Sequence, residues 1–278
     1  NSVGRVPPPA KNVRWFWMLA AKLIFSLGKF SRRAILRQVM IRRSFILVMA
    51  LVLGVRAESP AEALATAGVA EFTAAYQAWS GERFAAAAAL FRQASAHAGA
   101  TATNFYWLGV AEFHHALQLQ GADTNGGGAD AALDAAVAAL RQAVRRDERL
   151  AEGHALLGTI YGMKIDGSLL RAAWYGPRIA SCRAKALESG AANPRVQYLL
   201  GVCQFHTSRK KAAWEEALTT LQRAENLFEA EARSPAAPLE PRWGQDACLT
   251  FIGRACEALG QPRAAAAYFR KALCLHPQ

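Results

Sequence analysis

The residues best equipped for chemistry stand in two nearly matching runs, Tyr106 to His114 (YWLGVAEFH) and Tyr198 to His206 (YLLGVCQFH). Tyr106 corresponds to Tyr198, Phe113 to Phe205 and His114 to His206. On a helix, positions seven and eight residues apart return to one face, so each run presents a Tyr-Phe-His cluster on a single side. Rigid aromatics supply anchoring area, and histidine can donate or accept near neutral pH. That combination suits an extended peptide or protein segment. The same rings would also suit a relic of internal duplication, packed against neighbouring helices.

Other chemistries find less support. His114 and His115 are adjacent, so they point different ways, and no His pair at i, i+4 and no His-Glu-x-x-His run exists. The sequence therefore points to no metal. It holds no glycine-rich phosphate loop and no nucleophile elbow, so it reads as non-enzymatic and needing no cofactor. Glu215-Glu216 and Arg209-Lys210-Lys211 read as solvated surface, the basic run also suiting an acidic partner rim. Cys182, Cys203, Cys248, Cys256 and Cys274 form no C-x-x-C pair. Cys248 and Cys256 lie two turns apart, about 12 Å along a helix and too far to bridge, so buried free thiols are expected.

The elements that carry these clusters are helices. Stretches such as ALDAAVAALRQAV (Ala132 to Val144) have helical apolar periodicity, and no segment alternates like a strand. In Leu249 to Pro277, Gly253 is followed by Ala265, Phe269, Ala272 and Pro277. Small residues at this spacing let two helices nearly touch, a phenylalanine fills the gap beside them, and proline ends the second helix. Comparable Leu-Gly pairs stand at Leu108-Gly109, Leu157-Gly158 and Leu200-Gly201. A degenerate first copy has Ala75 in the glycine place, with Ala87, Phe91 and Ala94 after it. The uneven spacing implies insertions at Gly121 to Asp130, Lys164 to Pro177 and Arg233 to Pro241, the last with three prolines.

On these residues, about Pro60 to Pro277 resembles the tetratricopeptide repeat (TPR) superfamily. The resemblance implies an all-α, right-handed superhelical solenoid of about five irregular helix–turn–helix repeats. It also implies a scaffold whose first helices line a concave groove, where Tyr106, Phe113, His114, Tyr198, Phe205 and His206 are the candidate partner-binding residues. Tyr161-Gly162-Met163-Lys164-Ile165, Tyr175-Gly176-Pro177, Lys185-Ala186-Leu187, Asn193-Pro194-Arg195, Leu199-Leu200-Gly201 and Pro241-Arg242-Trp243-Gly244 are similar to a group of exported bacterial repeat proteins. That group commonly has a Phe-Gly-Gly loop where this chain has His206 to Lys211. Solenoids usually end in a polar capping helix. Nothing of that kind follows Pro277 here, so Tyr268, Leu273 and Leu275 are expected to be partly exposed or covered by a second copy of the chain.

Charge and hydropathy divide the chain. Residues 1–57 hold eleven of the 33 Lys and Arg and none of the 21 Asp and Glu, so from Glu58 onward 22 basic residues face 21 acidic ones. Eleven of the twelve net positive charges therefore belong to the N-terminal segment, and nucleic acid is not an expected partner. From Met40, Arg42-Arg43, the apolar run Ser44 to Val55 and Val55-Arg56-Ala57 have the layout of a signal peptide cut after Ala57. The expected organisation is an upstream extension or membrane-interacting segment (1–39), a signal peptide (40–57) and a helical domain (58–278). A periplasmic or secreted protein with no stable membrane insertion after cleavage follows. The alternative is an uncleaved anchor over Phe45 to Val55, in a membrane-tethered assembly factor, and a less favoured third reading is an enzyme or metal-binding protein using His114 and His206.

Overall fold

The computed structural model describes residues 59–122, 127–207 and 210–277. The signal-peptide and upstream-segment expectations fall outside them. Among these residues run ten helices: α1 (Pro60–Ala78), α2 (Gly81–Ala96), α3 (Ala102–Ala122), α4 (Gly127–Arg146), α5 (Ala151–Met163), α6 (Leu169–Gly190), α7 (Pro194–Thr207), α8 (Lys211–Ala232), α9 (Gln245–Ala258) and α10 (Pro262–Leu275). Consecutive helices pair into five hairpins, and α1, α3, α5, α7 and α9 also touch in series, forming the inner layer.

Sequence chemistry explains which layer each helix joins. The inner helix α5 is buried from Ala151 through Tyr161, and α7 from Pro194 through Gly201, as a helix enclosed on all sides must be. The outer α6 buries only Cys182, Ala186 and Gly190, one stripe of small residues. Its exposed N-terminal turns carry Leu169, Leu170 and Trp174 into solvent. Serine side chains mark three starts: Ser59, Ser80 and Ser168 accept from backbone N–H groups in the first turns of α1, α2 and α6.

The repeat glycines do what their spacing implies. A Cβ on Gly253 would meet the Phe269 ring at 2.5 Å, and one on Gly109 or Gly201 would meet Leu140 or Leu221 nearly as closely. In the first repeat the equivalent approach is at Gly68, 2.7 Å from the Phe91 ring. It lies two helical turns before Ala75, which is itself fully buried. The inserted Lys164 to Pro177 becomes a short turn followed by the opening of α6, with Pro177 inside the helix. Both ends of the array meet. The Tyr76 hydroxyl of α1 donates to Asp246 of α9 at 2.7 Å, and the His276 ring lies 3.3 Å from the Gln77 carbonyl. At the last repeat Leu273 and Leu275 are exposed, while Tyr268 is half-buried with its hydroxyl on Glu225.

Candidate functional site

The segment between α8 and α9, Arg233 to Gly244, runs across the concave face as a strap. Its three prolines deny it a helix, and Leu239 and Gly244 take positive φ to turn it (61° and 95°). Two inner-face residues seize it. The Trp107 indole N–H donates to the Leu239 carbonyl at 2.9 Å, and the buried Trp243 donates its own indole N–H to the Tyr106 hydroxyl at 3.2 Å. Arg242 closes the turn on itself, donating to the Glu231 and Ser234 carbonyls and the Glu240 carboxylate.

Beneath Trp243 lies a buried polar relay. Tyr106 donates to Glu152 at 2.5 Å, and Glu152 also accepts from Asn193 (2.7 Å) and the Arg195 Nε (2.8 Å). The Arg195 guanidinium then forms a bidentate pair with Glu231, just before the strap. Arg195 is only 2% exposed. Burial alone would lower its pKa, but the Glu152 and Glu231 carboxylates reverse that and hold it charged. Burial, with the Glu152 charge beside it, pushes the Tyr106 phenol well above its ordinary value, so it stays a donor. Two carboxylates around one guanidinium satisfy nearly every polar atom in the relay, the condition under which buried charge is tolerated.

Tyr106 and His114 of the first Tyr-Phe-His run and Tyr198 of the second meet at the strap. Trp243 lies 5.1 Å from the His114 ring and 6.5 Å from the Tyr198 ring, between centroids and nearly perpendicular to both. Phe113, His114 and Tyr198 share a cavity of about 300 Å³ with Tyr76, Trp79, Trp243, Asp246, Phe251 and His276. A second cavity, about 560 Å³, lies along α1 and the strap and shares Tyr76, Trp243, Asp246 and His276. Tyr106 stands outside both, in the relay. Phe205 and His206 pack around Phe251, with the Arg254 guanidinium 5.7 Å from the Phe205 ring centroid. His206 is exposed and Phe205 half-buried.

His114 is the histidine that burial alters most here. It is 3% exposed, its Nδ1–H donates to the Val110 carbonyl at 2.8 Å, and burial lowers its pKa to about 4. At neutral pH it is uncharged, and with the proton on Nδ1 its Nε2 is an acceptor. Glu152, Glu231 and Asp246 carry no signal in the sequence, and Asn193, Arg195 and Trp243 stand out there only as members of the Asn193-Pro194-Arg195 and Pro241-Arg242-Trp243-Gly244 motifs. A tryptophan bounded by proline and glycine between two repeats is the signal that singles out Trp243. Among the described residues no group of three or more His, Cys, Asp or Glu is placed to hold a metal ion, and no helix is long and apolar enough to cross a membrane.

No family model and no curated protein sequence matches the chain. Solved structures do. The HusA haemophore from Porphyromonas gingivalis superposes with a TM-score of 0.57 at 19% identity, covering 72% of this chain and 94% of the haemophore. A thermophilic TPR protein from Thermus thermophilus superposes with a TM-score of 0.52 at 16% identity, covering 76% of this chain and 92% of its own. At such identities the shared property is the fold. The helical domain is a TPR-like α-solenoid.

Proposed function

We propose that this chain is a non-enzymatic binding protein of the bacterial cell envelope whose concave face receives an extended segment of a protein partner. The observation that carries the reading is the strap. The inner face already grips a proline-containing segment through an indole-to-backbone hydrogen bond at Leu239 and an aromatic anchor at Trp243. Those are the means by which grooves hold peptides in general, backbone contacts for affinity and pockets for side chains. A partner segment would take the place of the strap and present its own anchor to Tyr106, His114 and Tyr198. A synthetic peptide spanning residues 234–244 tests this. Fluorescently labelled, it should bind Trp243→Ala protein, whose groove has lost its own anchor, more tightly than the unaltered chain. Equal weak binding to both would sink the reading. Export is part of the proposal, supported by the signal-like run from Met40. N-terminal sequencing of the envelope protein should begin at Glu58, and a retained Phe45 to Val55 segment would favour the membrane-tethered assembly factor.

A second reading has one specific observation behind it. The two cavities adjoin at Trp243, and the Nε2 of the neutral His114 is an acceptor beside them. The structurally similar HusA is a haemophore. If Trp243 swings out, the merged space falls in the size range of small-molecule sites, and haem becomes a candidate cargo. Haemin titration followed by the Soret band decides it: a band that shifts and saturates in the unaltered chain, and is lost in His114→Phe, supports capture.

A further inference from the structure

The 300 Å³ cavity has a composition that neither reading above requires. Its walls are the rings of Tyr76, Trp79, Phe113, Tyr198, Trp243 and Phe251, drawn from the first, second, fourth and fifth repeats and the strap. The rings meet at steep angles: Tyr76 to Trp79 at 81°, Tyr198 to Trp243 at 81°, and Tyr198 to Phe251 at 58°, with centroids 6.1 to 6.5 Å apart. They form a box, not a stack. Among the described residues one carboxylate, Asp246, lines it, and no lysine or arginine does. Asp246 is held in place by the Tyr76 hydroxyl at 2.7 Å, with the His276 ring 3.6 Å from its other oxygen.

Aromatic faces carry negative quadrupole charge, and several converging on one point attract a weakly hydrated cation. A carboxylate on the same wall adds to that field, and a shell of carbon favours a cation whose own surface is methyl groups. We propose that this cavity binds a quaternary trimethylammonium group. Ordinary ammonium is a poorer fit because it would surrender strong hydration for largely aromatic walls whose one carboxylate, Asp246, is already engaged by Tyr76. The inference does not rest on displacement of the strap, since Trp243 forms part of the box where it now sits.

The test uses the full-length chain and choline chloride, read by intrinsic tryptophan fluorescence and by calorimetry. Its control is 3,3-dimethyl-1-butanol, which has the same shape without the charge. Choline should saturate and bind at least about tenfold tighter than the neutral isostere. Asp246→Asn should remove most of that preference. Because Asp246 also braces Tyr76, Trp79→Leu is the second variant. Trp79 is 39% exposed at the end of α1, the most exposed of the six rings, so its loss should weaken choline binding at a smaller cost in melting temperature than loss of the buried Trp243. A trimethyl-lysine peptide and its unmethylated twin separate the two sources of such a group: tighter binding of the methylated peptide than of choline assigns it to a protein partner, and the reverse to a free solute. Equal binding of choline and the isostere, or no saturation by either choline or the methylated peptide, overturns the proposal.

Discussion

Acidification should destabilise the solenoid through His114, and the size of the effect follows from where the ring sits. His114 lies in α3 among Phe72, Tyr76, Phe84, Phe113 and Trp243, with ring centroids between 5.1 and 5.7 Å away. Asp246 is the acid near enough to favour its charged form, and burial outweighs it: the pKa falls from 6.5 to about 4. In the unfolded chain the ring recovers its ordinary value. Between those two values the unfolded state binds a proton that the folded state refuses, so stability falls as pH falls through that window. Each unit corresponds to about 1.4 kcal/mol, giving a full loss of about 3 kcal/mol, most of it reached by roughly pH 4.5. Carboxylates titrate in the same range, so the measurement is a difference. Urea melts of the unaltered chain and of His114→Phe, at about pH 7 and about pH 4.5, should show the variant losing less by that amount. Phenylalanine keeps a ring in the aromatic surroundings and cannot titrate. Parallel losses in the two proteins would mean that the ring is hydrated or that Asp246 fully compensates, and the burial argument would be refuted.

Three further outcomes follow from the packing. Trp243→Ala should cost about 3–5 kcal/mol in urea melts, the usual range for a buried large aromatic. It should also open the Arg233 and Arg242 bonds to trypsin before the helices are cut; uniform cleavage instead would show that the strap is not a separate unit. Arg195→Leu should cost about 3–5 kcal/mol by leaving Glu152 and Glu231 without their guanidinium. Its destabilisation should shrink when Glu152→Gln is added, whereas simple additivity would deny the relay. Of the five free cysteines only Cys274 is exposed, and burial raises the thiol pKa at Cys182 to about 11 and at Cys248 further still. A thiol reagent at neutral pH should therefore modify Cys274 first and the buried thiols only on unfolding. Rapid labelling of Cys248 would contradict the packing of α9 on α8.

Much of the fold was legible in the residues because it depends on local periodicity. Gly253, Ala265 and Phe269 are sixteen residues apart at most, and one helical hairpin brings them together whatever the rest of the chain does. Burial of the cysteines was legible only in part: Cys182, Cys248 and Cys256 are buried as expected, but Cys203 is half-buried and Cys274 is exposed on the last helix. The inserted Lys164 to Pro177 misled because a proline near the start of a long helix looks, in sequence, like the end of a loop.

The duplicated Tyr-Phe-His runs could be found by reading, but their surroundings could not. Tyr106 and Trp243 are 137 residues apart, Tyr76 and Asp246 170, and His276 and Gln77 199. No spacing rule links such positions, because their meeting depends on the accumulated rotation of five repeats. Nor does a proline-rich segment between two repeats reveal whether it hangs in solvent or folds back. Only the tertiary closure of the array decided that Arg233 to Gly244 folds back on the inner helices, that Glu152 and Arg195 bury their charges beneath it, and that six rings line one cavity with Asp246. The sequence by itself determined the hairpins, since their contacts are near neighbours along the chain. The tertiary structure decided the site, since its walls come from widely separated parts of the chain.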